Sequence, residues 1–112
     1  MNIQLLLCTK DAERLAKFYS ELLGMEMIDK SVNGSKSYLI SDNEPSGIFI
    51  TEQKEGNTHP LSNNISIFTP KSEEVKKRAR SMGVKLEHAE HVNSFFYLTD
   101  IDGNKITIQY QK

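Results

Sequence analysis

The sequence has a single cysteine, no long hydrophobic run and no excess of either charge. Each shortage excludes something. A lone thiol, Cys8, forms no internal disulfide and builds none of the multi-cysteine sites that hold structural metals. A membrane-spanning helix needs about 20 predominantly apolar residues, and no stretch approaches that. The 14 basic and 15 acidic residues are well mixed, for a net charge of -1. A nucleic-acid surface needs clustered positive charge. The one basic run, Lys76, Lys77, Arg78 and Arg80, shares its segment with Glu73 and Glu74 and reads as a solvated helix face. The N-terminal segment lacks a basic region, and its apolar run is too short for a signal peptide. The expectation is a cytoplasmic protein with neither nucleic acid nor membrane as a partner. No Ser-His-Asp arrangement, phosphate loop or paired-carboxylate motif is present.

What is there is a pattern used twice. Ile3, Leu5 and Leu7 alternate with Gln4, Leu6 and Cys8, the period-2 signature of a strand. Asp11 then offers an N-cap, with Glu13 in the first turn where the helix dipole favours an acid. Ala12, Leu15, Ala16, Tyr19, Leu22 and Leu23 form one apolar helical stripe, and Gly24 suits a left-handed C-terminal cap. Strands are expected over residues 25–30, 37–41 and 48–52, with Asn33-Gly34 as a hairpin turn and a polar turn around Pro45. A polar connector, residues 53–62, follows.

The second half repeats the order. Ile65 and Ile67 alternate with Asn64, Ser66 and Phe68. A helix capped by Thr69 or Ser72 carries Val75, Ala79 and Met82 on its apolar stripe and ends at Gly83. Three strands follow, over residues 84–90, 94–99 and 105–110. The turn 100–104, Asp-Ile-Asp-Gly-Asn, separates the last two. The spacing from Gln4 to Gly24 nearly equals that from Asn64 to Gly83, so a βαβββ unit of about 60 residues recurs. The expected fold class is α+β: one domain of residues 1–112, made of module one (1–52), the connector and module two (63–112). Each module is a curved mixed sheet with its helix on the convex side. Ile3, Leu5, Leu7, Ile65, Ile67, Ile106, Ile108 and Tyr110 are expected to face the helices. Gln4, Leu6, Cys8, Asn64, Ser66, Phe68, Lys105, Thr107 and Gln109 are expected to line a concave cleft, closed by two halves within the chain or in a dimer.

The chain resembles the vicinal oxygen chelate superfamily, which includes glyoxalases, bleomycin-resistance proteins and ring-cleaving dioxygenases. The stretches that carry the resemblance are Thr9-Lys10-Asp11 leading into Phe18-Tyr19 and Leu22-Leu23-Gly24, then Met82-Gly83-Val84, then the turn from Asp100 into Lys105-Ile106, where Ile101 replaces the proline often found there. The resemblance implies a divalent metal held by His on the first strand, His on the fifth, Glu on the last and, in glyoxalases, Glu on the fourth. Here those positions hold Gln4, Asn64, Thr107 and the neighbourhood of Ile50, with Glu52 one step on. Neutral amides and a hydroxyl are poor ligands for such metals.

No metal and no cofactor are therefore expected. His88 and His91 stand three apart on an expected strand and point to opposite faces, as do Glu87 and Glu90. His59 lies in the connector. These read as surface groups, and Cys8 as a small buried one. The apolar walls with a few amides and hydroxyls suit a small organic molecule. The function expected is metal-independent binding by Gln4, Leu6, Cys8, Glu52, Asn64, Ser66, Phe68, Thr107 and Gln109, in a homodimer like those of the bleomycin-resistance branch. Two alternatives stand beside it. One is a metal-dependent lyase, isomerase or dioxygenase with an atypical site, for which Glu52 is the residue to watch. The other is an interaction module whose cleft is filled by Phe68, Phe95, Phe96 and Tyr97.

Overall fold

The computed structural model describes residues 3–53 and 64–112. The chain divides into two compact units, Met1–Thr58 and His59–Lys112. The first runs β1 (Gln4–Thr9), α1 (Ala12–Leu23), β2 (Glu26–Asp29), β3 (Ser37–Asn43) and β4 (Ser46–Glu52). Its strands form one mixed sheet in the order β1-β4-β3-β2, with β1 parallel to β4 and the other pairs antiparallel. This is the βαβββ order read from the sequence.

The helix begins and ends as its residues dictate. The Asp11 carboxylate accepts the Arg14 backbone N–H at 3.1 Å, satisfying one of the donors a helix start leaves unpaired. Gly24 takes the left-handed conformation and donates to the Ser20 carbonyl. The apolar stripe, widened by Phe18, is buried in full. It lies chiefly over β3, then β4, and least over β1.

Strand register sorts the sheet into two faces. Leu7, Ile50 and Tyr38 are lateral neighbours, as are Ile48 and Ile40, and all five are buried on the helix side. Leu5 and Ile3 were expected there too, but both are exposed. β1 is a sheet edge and α1 does not reach over its start, so alternation alone does not bury them. At Asn33-Gly34 the expected turn forms, with φ of 51° and 78°. Val32 and Ser35 exchange both backbone hydrogen bonds across it.

The second unit runs β5 (Asn64–Thr69), α2 (Ser72–Ser81), β6 (Phe96–Thr99) and β7 (Lys105–Tyr110), with sheet order β5-β7-β6. Ile65, Ile106, Ile108, Phe96 and Leu98 are buried on its helix side. Tyr110, expected among them, is exposed at the strand end. Three expectations for this unit are corrected.

Residues 84–90 are not a strand. They contribute one isolated bridge, Glu87 with Tyr97, before His88 turns to a φ of 60° and breaks the extended run. The unit is therefore βαβββ-like, with its second strand reduced to that bridge. Neither Thr69 nor Ser72 caps α2. Its N-cap is Lys71, without a side-chain cap bond, and the Thr69 hydroxyl accepts from the Lys71 N–H instead. The buried stripe of α2 is Ser72, Val75, Lys76 and Ala79, half of it polar.

Lys76 is only 4% exposed. Its ammonium donates to the Glu73 carboxylate at 2.9 Å and to the His91 carbonyl at 3.1 Å, and lies 5.5 Å from the Phe96 ring centre. The same Glu73 oxygen accepts the Asn93 N–H. A polar clamp from α2 thus holds the loop just beyond the expected strand 84–90. The last turn is tied as tightly. One oxygen of the buried Asp100 carboxylate accepts the Asp102 and Asn104 N–H groups, and the other accepts the Asn104 side-chain amide.

Candidate functional site

The site-bearing surfaces are the open faces of the two sheets, opposite the helices. On the first unit, Gln4, Leu6 and Cys8 are in register with Gly47, Phe49 and Thr51. β3 adds Ser37, Leu39 and Ser41, all three buried. The Gln4 side-chain amide donates to the Pro45 carbonyl at 2.7 Å, which fixes it against the β3–β4 turn. The Ser37 and Thr51 hydroxyls share a hydrogen bond of 2.9 Å. Leu6 is 58% exposed, while Cys8 and Phe49 are half-buried. The face from β1 to β3 carries no charged side chain.

Gly47 makes this face possible. A Cβ there would stand 2.2 Å from the Ile40 carbonyl oxygen, and φ is +149°. β3 and β4 approach so closely because the register shifts between Ile40 and Asn43.

Glu52 does not belong to this face, and the expectation is corrected. It is the lateral neighbour of Thr9, on the helix-side parity of Ile48 and Ile50. Ile50, near which the resemblance puts its fourth-strand ligand, is fully buried on the helix side.

On the second unit the open face carries Asn64, Ser66 and Phe68 from β5 beside Lys105, Thr107 and Gln109 from β7. Tyr97 of β6 lies next to Thr107. Asn64 and Ser66 are exposed, Thr107 and Gln109 half-buried. Phe68 is 55% exposed. The short aromatic run splits between faces. Phe96 goes to the core, while Phe95 and Tyr97 face outward with their ring centres 5.5 Å apart. His88 completes the group, its ring set edge-on to Tyr97 at 5.4 Å. The Lys105 ammonium is 5.7 Å from the Tyr97 ring centre. Sequence reasoning placed Lys105 on this face, and Phe95 and Tyr97 there only as the filling of an interaction module, but missed His88. Period-2 alternation through Phe96 was the available signal for Phe95 and Tyr97. His88 comes to the face only because its backbone leaves the extended region. His91 is exposed, and His59 lies outside the described residues.

These residues do not fit a divalent metal of the kind the family resemblance implies. Its positions offer two amides, a hydroxyl and the buried Ile50, with Glu52 turned to the other face. Among the described residues, no three His, Cys, Asp or Glu side chains come together as a metal-holding group. Hard and borderline cations need carboxylate or imidazole lone pairs. Carboxylates with perturbed acidity lie elsewhere. Asp29 is held below its usual range by Ser31, through the hydroxyl and then the backbone N–H. Glu73 is lowered by its hydrogen bond to Lys76, against the opposing effect of burial.

A sequence-family model described as the Glyoxalase/Bleomycin resistance protein/Dioxygenase superfamily matches residues 3–108. The chain belongs to this superfamily. No curated protein sequence gives a significant match. Solved structures show the same fold at low identity. The trypanothione-dependent glyoxalase I of Leishmania major superposes with a TM-score of 0.74 at 17% identity, covering 98% of this chain and 86% of that one. TnmS3, an antibiotic-binding protein from Streptomyces sp. CB03234, gives 0.73 at 15%, covering 100% and 96%. The fosfomycin resistance protein FosX of Listeria monocytogenes gives 0.66 at 18%, covering 98% and 90%. Among the described residues, no helix is long and apolar enough to cross a membrane.

Proposed function

We propose that this chain is a binding protein of the superfamily, holding a small organic molecule against an open sheet face without a metal. One observation carries the proposal. The positions where relatives would place ligands hold Gln4, Asn64 and Thr107, while the same faces present exposed Leu6, Phe68 and Phe95. Apolar surface with a few fixed hydrogen-bonding groups suits an organic ligand. TnmS3, of the same fold, is described as binding an antibiotic, which supports sequestration as a role that needs no reaction. The packing expected of a filled interaction module is not seen, because Phe96 lies on the opposite face from the exposed Phe68 and Phe95. A homodimer in the cytoplasm remains part of the proposal, to be checked by sedimentation.

The test is metal analysis of the purified protein, followed by thermal shift with zinc, nickel, manganese and ferrous ions. The proposal expects no stoichiometric metal and no specific stabilisation. A ligand at about 100 times its dissociation constant stabilises by roughly 2.7 kcal/mol, so occupancy would be plain. Stoichiometric metal, or a shift abolished by Gln4→Ala, would make a metal-dependent lyase, isomerase or dioxygenase the better reading.

A further inference from the structure

The open face of the second unit has a more specific shape than its residue types suggest. Phe68 stands on β5, Tyr97 on β6 with Phe95 just before that strand, and β7 runs between β5 and β6. Adjacent strands lie about 4.8 Å apart, so side chains of β5 and β6 rise roughly 10 Å apart across the sheet, with Phe68 beside Gln109 and Tyr97 beside Thr107, one same-face step along β7. A flat ring in van der Waals contact on both sides needs about 7–8 Å between its neighbours. Two aromatic walls on this spacing leave room for one planar ring system.

The β6 wall is braced. His88 meets Tyr97 edge-on at 5.4 Å and lies 6.4 Å from Phe95. It reaches them with a left-handed backbone at φ 60°, a conformation that persists only where its surroundings hold it. The floor, supplied by β7, is the Thr107 hydroxyl and the Gln109 amide, both half-buried.

Charge fixes the remaining feature. Lys105 lies on the same face, next to Thr107 along β7, and its ammonium rests 5.7 Å from the Tyr97 ring centre. It makes no ion pair with any described residue. Glu87, in register with Tyr97, shares this face but stands on the side of Tyr97 away from β7. The slot therefore has a cation, unpaired among the described residues, on its β7 side, with Glu87 beyond the far side of Tyr97.

We infer that this face takes a planar aromatic molecule bearing an acidic group. The ring inserts between Phe68 and the Phe95–Tyr97 pair, and the acid pairs with Lys105. The assignment rests on the metal-free binding role proposed above and names the class of its ligand.

Three probes test it by backbone amide shifts of the full-length protein: 2-naphthoate, its neutral analogue 2-naphthamide, and the non-aromatic cyclohexanecarboxylate. The expected result is saturable shifts from 2-naphthoate at Ser66, Phe68, Tyr97, Thr107 and Gln109. Naphthamide should bind about fivefold more weakly or worse, and cyclohexanecarboxylate not measurably. Phe68→Ala should weaken both naphthalene probes by a similar factor, and Lys105→Gln should erase the difference between them. Both side chains are exposed, so the variants should keep the wild-type circular dichroism. Equal binding of cyclohexanecarboxylate, shifts confined to other surfaces, or no response to Phe68→Ala would overturn the slot while leaving metal-free binding standing. Stoichiometric metal, or no binding of any probe to either open face, would overturn both.

Discussion

Gly47→Ala is the substitution whose cost the structure states most directly. The added methyl would sit 2.2 Å from the Ile40 carbonyl oxygen and 3.0 Å from the Ser41 Cβ. The first neighbour is backbone in the middle of a sheet and has little freedom to move. The φ of +149° adds strain for any residue with a Cβ. Backbone strain of this kind costs about 1–3 kcal/mol, and overpacking a tight site costs a similar amount. Together they give roughly 2–5 kcal/mol. For a domain of this size that is a fall in Tm of about 10–20 °C.

Gly34→Ala serves as the control. Its φ is +78° and nothing lies within 4 Å of the added atom, so only the left-handed cost of about 1–2 kcal/mol applies. Differential scanning calorimetry on both variants separates clash from conformation. Should Gly47→Ala melt with Gly34→Ala, the close approach of β3 and β4 is wrong. The register that sets Gln4 opposite Gly47 would then be wrong with it.

Other outcomes follow from buried polar groups. The Ser72 hydroxyl is fully buried and has no hydrogen-bond partner among the described residues. Ser72→Ala should be neutral or raise stability by about 1 kcal/mol, and a clear loss in urea unfolding would show that a partner exists. Asp100→Ala removes three hydrogen bonds to a buried carboxylate and should cost about 2–4 kcal/mol. A loss under 1 kcal/mol would mean the turn is held by its backbone alone. The Glu73 pKa is lowered in the folded state. Its contribution is therefore present above the unfolded value, near 4.5, and is lost as pH falls through the folded one. Its side chain is 40% exposed, so the contribution is below about 1 kcal/mol. Wild type should melt above Glu73→Gln at pH 7, and the two should converge below pH 4. A constant gap would assign the effect to packing.

How much was legible depended on how local the cause was. Asp11 as a cap, Gly24 as a left-handed terminator and Asn33-Gly34 as a turn act over four or five residues, and each formed as expected. The repeated strand-helix order was equally readable, because periodicity is a property of the chain itself.

Tertiary structure decided what depends on neighbours distant in sequence. Leu5 alternates like a core residue, yet it lies near the start of an edge strand, where α1 does not reach. Ile50 and Glu52 share a parity that the sequence could count but not orient. Only the pairing with Leu7 and Thr9 shows that this parity faces the helix. Residues 84–90 have strand-like composition, but Lys76 and Glu73 clamp the loop beyond them and His88 leaves the extended region. That departure brings an imidazole against Tyr97 and builds the aromatic wall. Local chemistry sets where elements start, stop and turn. The face each one presents, and what stands beside it there, is set by register and cover, which no single segment carries.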